Sequence, residues 1–482
     1  MRSIKKNLIY QILYRVLVVA TPLITTPIIT RALGVNQLGV YSATQAFVNY
    51  FMLAAMLGIE KYGQRTIAAA KTMEEKENLF WEIFSVQVLS SGTAILVYYI
   101  CLSFYSGERF EVMLIQGIWL FSCLFNINWF FFGCEKFRIP VIRYCVFRSI
   151  TVVCVALFVR SKDDLSLYCV ILACGALITE LVLWISLRKI IRFRRVRFKY
   201  IKTHIKEILI LFIPVIAISI YHIMDKTMLD LLSTESETGF YYSADKIINI
   251  PLGLITAVGT VVLPRMSYLF NNETITEVKE MLGKSVELTL FMTCAVGFGI
   301  AAISHEFIPF FLGEGFEQCV RLMYIFVPIL LIKSFSDIVR NQFLIPARMD
   351  RDYTIAVLGG VFPNIIMNAL LIPRFGAMGA AIGTLAAEFV VLLLQMWRCR
   401  KQIRFFVLFV RHSAYTINGF LMFVAVRLLA RYLGCFGVAK ILFLIIFGAF
   451  VYLSCCFVLW RIRKQSIFHH YLEFTPFVKK NK

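Results

Sequence analysis

The sequence predicts an all-α integral membrane protein with about 14 transmembrane helices. Of its 482 residues, 59% are hydrophobic and only 16% are charged, and the mean hydropathy of +0.76 lies far from that of soluble domains. Apolar stretches recur along the whole chain, and about 20 apolar residues suffice for a helix to cross the hydrocarbon core. The first stretch follows the basic start MRSIKKN and is not followed by a small-residue cleavage site, so we predict a retained span.

Fourteen spans are predicted from these stretches. They cover residues 8–30, 40–60, 79–104, 112–132, 144–159, 166–187, 207–232, 240–264, 285–304, 318–345, 353–372, 376–397, 406–430 and 438–460. Lys and Arg give an independent test, because cytoplasmic loops retain them. With both termini cytoplasmic, the segments on that side hold 34 basic residues, and the outer loops hold six: Arg31, Arg109, Arg160, Lys162, Arg374 and Arg431. A missed or invented span would invert every later loop and remove this asymmetry.

The net charge of +21 follows largely from this topology and does not indicate a nucleic-acid partner. The densest basic segment, residues 188–206, is predicted to face the cytoplasm, where anionic membrane lipids are the expected partner. The 13 cysteines show no CxxC pair or metal-type spacing, and the six histidines form no catalytic set. We therefore predict neither a metal nor another cofactor.

Two pairs of similar motifs indicate an internal repeat. They are GVYSA at 39–43 with GFYYSA at 239–244, and GALITE at 175–180 with GTLAAE at 383–388. Because six spans separate equivalent helices, the repeats would be parallel, with an axis along the bilayer normal. We predict two six-helix bundles, at residues 1–190 and 207–400, around a central cavity. A basic linker at 191–206 joins them, and residues 401–482 form two appended helices and a cytoplasmic tail.

Ten basic residues lie within the predicted spans. Four of them lie near span ends and can extend to the lipid headgroups: Arg148, Arg411, Arg427 and Lys440. We therefore assign these four no role in substrate binding. The tenth span is different, because a single helical face carries Lys333, Asp337, Arg340 and Asn341. Charge near mid-membrane is costly against lipid, so this face is expected to meet a cavity. The alternative is a self-neutralising cluster that only joins two helices.

The seventh span carries the adjacent residues Asp225 and Lys226. Lys226 can reach Asp230 one helical turn on, and Asp225 shares a face with Tyr221 and His222. Arg15 lies in helix 1, the counterpart of helix 7, and would meet these side chains across the cavity. The alternative places Asp225 and Lys226 near the outer headgroups. A cavity lined by Arg and Lys suits a cargo that contains phosphate.

Four blocks of sequence resemble the bacterial polysaccharide-repeat-unit flippases. They are residues 22–68, which begin PLITTPIITRALG, 128–138 (NWFFFGCEKFR), 224–267, which begin MDKTMLDLLS, and 362–388, which begin FPNIIMNALLIPRFG. This is the polysaccharide transport family of the multidrug/oligosaccharidyl-lipid/polysaccharide exporter superfamily. The resemblance extends over most of the chain and is closest to capsular and O-antigen type transporters.

The resemblance implies a carrier, not an enzyme, that moves an undecaprenyl-diphosphate-linked oligosaccharide across the bacterial cytoplasmic membrane by alternating access. The cargo would serve a capsule, O-antigen lipopolysaccharide or another surface polysaccharide, with a polysaccharide polymerase and chain-length proteins as partners. A cationic cavity is implied, and six candidate residues lie in the matching blocks: Arg31, Arg65, Asp225, Lys226, Asp245 and Lys246. They join Arg15, Lys333, Asp337, Arg340 and Asn341 as candidate substrate-binding residues.

Three other functions compete with this hypothesis. A multidrug antiporter of the same fold would favour organic cations and an acidic cavity, contrary to the excess of bases within the spans. A flippase for the lipid-linked peptidoglycan precursor differs in cargo and not in principle. A membrane glycosyltransferase or polymerase needs a larger outer domain than these loops provide, since none exceeds about fifteen residues.

Overall fold

The structure is a computed structural model that describes residues 2–194, 196, 198–272, 275–433 and 437–462. The elements in these ranges are helices joined by short turns, which confirms the predicted all-α fold. The chain divides into two compact units, Met1–Tyr242 and Ser243–Lys482.

The first unit is built from nine helices and the start of a tenth. They are α1 (Arg2–Met56), α2 (Ile59–Ala69), α3 (Met73–Ser103), α4 (Phe110–Gln116), α5 (Ile118–Phe125), α6 (Asn128–Gly133), α7 (Arg138–Phe158), α8 (Leu165–Leu187), α9 (Phe198–Leu232) and α10 (Glu235–Asn272). A 3-10 turn, Lys162–Asp164, precedes α8. Helix α9 packs against α1, α2 and α3. The division into bundles at 1–190 and 207–400 stays a prediction.

The second unit contains the rest of α10 and seven further helices. They are α11 (Ile275–Leu312), α12 (Gln318–Ile338), α13 (Asp350–Phe375), α14 (Ala377–Cys399), α15 (Phe405–His412), α16 (Ala414–Tyr432) and α17 (Val438–Ile462). A π-helical segment, Val339–Leu344, continues α12. The core of the second unit contains buried side chains of α11, the end of α12, α16 and α17.

Eleven helical segments within the described residues are long and apolar enough to cross a membrane. One of them, Leu17–Ala69, includes the predicted first and second spans, which are separated by a turn at Gly34. Gly34 has φ 73° and ψ 176°, a conformation that residues with a side chain rarely adopt. The predicted seventh and eighth spans fall in α9 and α10. The count of fourteen spans stays a prediction.

The repeated glycine motif lies where α1 and α10 touch. An ideal Cβ on Gly39 would lie 1.8 Å from the carbonyl oxygen of Glu235, and one on Gly239 would lie 2.0 Å from that of Val35. The contact is reciprocal, because each glycine meets the residue four positions before the other. Glycine is required at both positions, since any side chain would separate the two backbones.

The NWFFFG segment forms α6, and a break at Asn126 and Ile127 separates it from α5. Buried Gln87 of α3 donates from Nε2 to the carbonyl oxygens of Cys123 and Asn126, at 2.7 and 2.8 Å. Its Oε1 accepts a hydrogen bond from Trp129 Nε1 at 3.0 Å. These bonds satisfy backbone groups that a broken helix leaves exposed inside the membrane. The break therefore fixes the positions of Asn126 and Asn128.

Helices α16 and α17 are attached to α11 through one carboxylate. Glu306 of α11 binds Arg427 Nη1 at 3.3 Å and Lys440 Nζ at 3.5 Å. Arg427 also donates to the carbonyl oxygen of Ala302 at 3.3 Å. The interpretation that Arg427 and Lys440 extend to the headgroups stays a prediction. The structure shows that each is also a protein contact between helices.

We predict that Gly239→Ala destabilises the protein by about 1–3 kcal/mol, because the new methyl group must push two backbones apart. Thermal unfolding of the purified protein in detergent measures the effect. Gly92→Ala is the matched control, since an ideal Cβ at that helical position meets nothing within 4 Å. The control should be neutral or slightly stabilising. Equal unfolding temperatures for both variants would contradict the close crossing.

Candidate functional site

The first unit encloses a partly open cavity of about 660 Å³. Side chains of α1, α2, α5, α7, α8 and α9 form its walls, together with the break after α5. Most of the lining is apolar, and the polar lining residues include Asn49, Glu60, Asn126, Arg148 and Glu180. All of these residues belong to one compact unit, so the cavity is a property of that unit alone.

Glu180, which lines the cavity, belongs to a hydrogen-bonded ion pair. Arg143 Nη1 of α7 lies 3.1 Å from Glu180 Oε2 of α8 and donates to the carbonyl oxygen of Thr179 at 2.6 Å. Asn128 accepts from Arg143 Nη2 at 2.9 Å and donates to Glu180 Oε2 at 3.1 Å. The side chains of Arg143 and Glu180 are only 6% and 14% exposed. The charge of Glu180 is therefore already matched by protein groups.

Arg148 of α7 also lines the cavity and lies five residues after Arg143. It is half-buried, and its Nε is inaccessible to solvent and has no hydrogen-bond partner. No hydrogen bond or ion pair joins it to another residue in the described part of the chain. The sequence interpretation gave Arg148 little weight as a headgroup contact, and the structure corrects this. Its position in the cavity makes it available to an anion.

The structure places the predicted residues of the first unit in several different surroundings. Buried Asp225 accepts a hydrogen bond from Tyr241 Oη at 2.8 Å. Lys226 Nζ lies 5.5 Å from the centre of the Tyr242 ring, a cation–π contact. Arg65 forms an exposed ion pair with Glu207 at 3.3 Å. None of these side chains lines the cavity in the first unit.

The remaining residues of the predicted set are less informative. Arg31 is exposed and engaged by a neighbour. Asp245 accepts a hydrogen bond from Asn249 Nδ2 at 2.7 Å, and half-buried Lys246 is also engaged. The side chain of Arg15 lies outside the described residues. The roles predicted for these residues in substrate binding stay predictions.

The charged stripe of the tenth predicted span forms two ion pairs in the second unit. Lys333 Nζ of α12 lies 3.3 Å from Glu388 Oε1 of α14, with both side chains largely buried. Arg340 binds Asp337, which also accepts from Asn341 Nδ2 at 2.9 Å. Glu388 supplies a second carboxylate that the sequence reasoning did not weigh. The excess positive charge expected on this face is therefore matched inside the unit.

The π-helical segment carries Arg340 and Asn341, which share Asp337 as a hydrogen-bond acceptor. Ile345 N donates to the carbonyl oxygen of Arg340 at 3.0 Å, five residues back. Such a widened turn alters the direction of the side chains that follow, and π-turns are frequent at functional sites. Arg340 remains 34% exposed and lies over the ring of Tyr353 at 5.9 Å. It is the more accessible of the two bases on this face.

Sequence reasoning missed Glu180 and Glu388 as functional candidates, although their motifs supplied the internal repeat. Each glutamate binds a base from a neighbouring helix, Arg143 and Lys333 respectively. A glutamate at the same place in two membrane-embedded motifs requires a partner, and this was the available signal. The cavity predicted between the two bundles stays a prediction.

The fold is that of polytopic membrane transporters. The chain resembles the structure of a lipid II flippase, MurJ, in an inward closed conformation, with TM-score 0.73, 15% identity and coverage of 95% of this chain and 99% of that one. It also resembles a multidrug resistance MATE family transporter in an inward-facing conformation, with TM-score 0.63, 13% identity and coverage of 79% and 94%.

Residues 4–270 match the family described as polysaccharide biosynthesis protein, and the chain belongs to that family. Two curated relatives are described as candidate O-antigen transporters. The one from Shigella dysenteriae is 22% identical over 400 residues, covering 81% of this chain and 99% of its own. The one from Escherichia coli K12 is 22% identical over 417 residues, covering 83% and 97%.

We predict that Glu180→Gln destabilises the protein by about 3 kcal/mol, because it leaves the buried Arg143 guanidinium without a counter-charge. The matched control is Glu207→Gln, which breaks an exposed pair whose side chains are 63% and 48% accessible. That change should cost less than about 1 kcal/mol. Thermal unfolding in detergent compares the two. Similar costs would show that the Arg143–Glu180 pair contributes no more than a surface contact.

Proposed function

We propose that this protein translocates a lipid-linked oligosaccharide across a membrane and that the cavity of the first unit binds the polar headgroup. The family, the two relatives described as candidate O-antigen transporters and the transporter fold all support this proposal. Sugars and phosphates cannot cross hydrocarbon unaided, whereas a polyprenyl chain is stable there. A carrier must therefore shelter the headgroup and leave the lipid chain in the bilayer.

Arg148 is the observation that carries the proposal. A guanidinium in a membrane-embedded cavity is costly unless it is paired, and Arg148 forms no ion pair or hydrogen bond with another described residue. Its planar fork matches the oxygens of a phosphate group. We assign it the first contact with the diphosphate of an undecaprenyl-diphosphate-linked cargo.

The other polar groups of the cavity suit a sugar. Asn49 and Asn126 offer amide donors and acceptors, and Trp119 presents an aromatic ring at the same wall. Glu60 adds a carboxylate acceptor for hydroxyl groups. One basic residue beside amide groups, an aromatic ring and carboxylates can bind both the phosphate and the hydroxyl groups of a glycan joined to it.

In this proposal, Lys333 and Arg340 contact the cargo only if they first leave their carboxylate partners. Both are paired, with Glu388 and Asp337, and would have to exchange a carboxylate for phosphate to contact the cargo. Arg340 is better placed for such an exchange because a third of its side chain is exposed. The remaining predicted residues, including Arg15 and Lys226, stay candidates for later steps of the passage.

The direction and setting of transport are also part of the proposal. The distribution of Lys and Arg supports two cytoplasmic termini. The relatives described as candidate O-antigen transporters support a bacterial cytoplasmic membrane. The cargo would then be loaded on the cytoplasmic side and released outside, by rocking of the two halves. A polysaccharide polymerase and chain-length proteins would use the released units for capsule or O-antigen.

Arg148→Ala should reduce transport of an undecaprenyl-diphosphate-linked oligosaccharide at least about tenfold, because a charge-assisted contact to phosphate is lost. The assay is translocation of the purified glycolipid in proteoliposomes, read by accessibility of the sugar to an external enzyme. Arg148→Lys should retain part of the activity, since lysine keeps the positive charge but cannot form the bidentate hydrogen bonds of a guanidinium.

Arg160→Ala is the control for this experiment, because it removes an exposed arginine outside the cavity. It should transport normally. Full activity of Arg148→Ala, with unfolding temperature unchanged, would remove Arg148 from the mechanism. Faster uptake of an organic cation by Arg148→Ala would favour the multidrug antiporter instead.

A double-mutant comparison separates the two roles of Lys333. If the base only neutralises Glu388, Lys333→Ala will impair the protein and Lys333→Ala/Glu388→Ala will recover transport. If Lys333 also binds phosphate, the double variant will fold like the wild type but remain slow. We expect recovery, because both partners are largely buried against each other. The same proteoliposome assay, with thermal unfolding, distinguishes these outcomes.

A further inference from the structure

The second unit contains a larger cavity, which the transport proposal does not use. Its volume is about 1500 Å³, and it lies between the start of α11, the segment 400–404 and helix α15. Apolar side chains of Ile403, Val407 and Leu408 form part of its wall. The remaining lining is dominated by charge.

Six basic residues and two acidic residues line this cavity: Lys279, Lys284, Arg400, Lys401, Arg404 and Arg411 against Glu280 and Glu287. Lys284 pairs with Glu280 at 2.7 Å. Buried Glu287 accepts a hydrogen bond from Tyr415 Oη at 2.8 Å. Even with both carboxylates counted, the cavity carries an excess of positive charge.

Three of these bases are available to a ligand. Lys279, Lys401 and Arg404 form no ion pair or hydrogen bond through their side chains with another described residue. Arg400 lies over the Trp397 ring at 4.8 Å, which holds its guanidinium at the edge of the cavity. Several unpaired cations around a concave surface attract a polyanionic group.

The predicted spans indicate that this cavity lies at a membrane boundary. The predicted span 376–397 ends just before the lining segment, and the predicted span 285–304 begins after Lys279 and Lys284. Helix α15 beside it exposes an apolar surface: Phe406, Val407 and Val410 are 65%, 55% and 51% accessible. Charged groups next to exposed apolar groups at this depth are typical of a lipid headgroup boundary.

We propose that this cavity binds the phosphate headgroup of an anionic phospholipid whose acyl chains lie along the exposed face of α15. Lys401 and Arg404 contact the phosphate, and Lys279 approaches it from α11. The lysines and arginines that flank the spans place this end of the unit on the cytoplasmic side, where anionic lipids attract such clusters. A free phosphate compound would leave the apolar wall of the cavity uncovered.

The test uses the full-length protein in phosphatidylcholine vesicles that contain a minor fraction of brominated phosphatidylglycerol or brominated phosphatidylcholine. Trp397, half exposed beside the cavity, reports proximity by quenching of its fluorescence. Subtracting the signal of Trp397→Phe isolates this residue from the other tryptophans. Stronger quenching by phosphatidylglycerol than by phosphatidylcholine is expected.

Lys401→Gln/Arg404→Gln should weaken the phosphatidylglycerol-dependent quenching about tenfold or more, since each base near a membrane surface contributes a substantial part of the binding energy. Lys136→Gln/Arg138→Gln is the matched control, because it removes two exposed bases from the first unit, outside the basic segment 188–206. The control should keep the wild-type quenching. If the double variant does not fold, the exposed single variant Lys401→Gln should show a smaller loss in the same direction.

Three outcomes would overturn the proposal. Equal quenching by the two brominated lipids would show that no anionic headgroup is selected. Equal losses in the Lys401/Arg404 variant and the Lys136/Arg138 control would show only a general effect of charge. Displacement of brominated phosphatidylglycerol by soluble glycerol 3-phosphate would identify a free phosphate compound as the ligand.

Discussion

The architecture depends on the requirement that a charge within a membrane helix must have a partner or reach water. Here that requirement determines which helices are joined. Arg143 binds Glu180 between α7 and α8, Lys333 binds Glu388 between α12 and α14, and Glu306 joins α11 to both α16 and α17. Lipid offers no hydrophobic drive for helices to associate, so such polar contacts contribute strongly to specificity.

The fold was predictable because its signals are local. Twenty apolar residues specify a span wherever they occur, and the distribution of Lys and Arg supports an arrangement of those spans. The repeated glycine motif likewise marked a real structural feature, since Gly39 and Gly239 lie where two helix backbones touch. What the motif could not indicate was that its two copies contact each other, because that depends on how distant segments pack.

The candidate site was less predictable, because hydropathy gives the depth of a residue but not the direction of its side chain. Arg148 near a span end looked like a headgroup contact, yet it lines a cavity. The sequence of α12 offered Lys333 only Asp337 as a partner, because Glu388 lies on another helix 55 positions later in the sequence. Counting charges on a single helix therefore overestimated the positive charge available to a ligand.

In the empty carrier, the guanidinium of Arg148 forms no ion pair with another described residue. Occlusion of the cavity without an anion would strip water from a lone cation, at a cost of several kcal/mol. Occlusion with a phosphorylated headgroup replaces that water by an ionic contact. In the proposed cycle, the cost of desolvating Arg148 therefore suppresses the conformational change when no cargo is bound. Binding of the glycolipid removes this cost and allows the change.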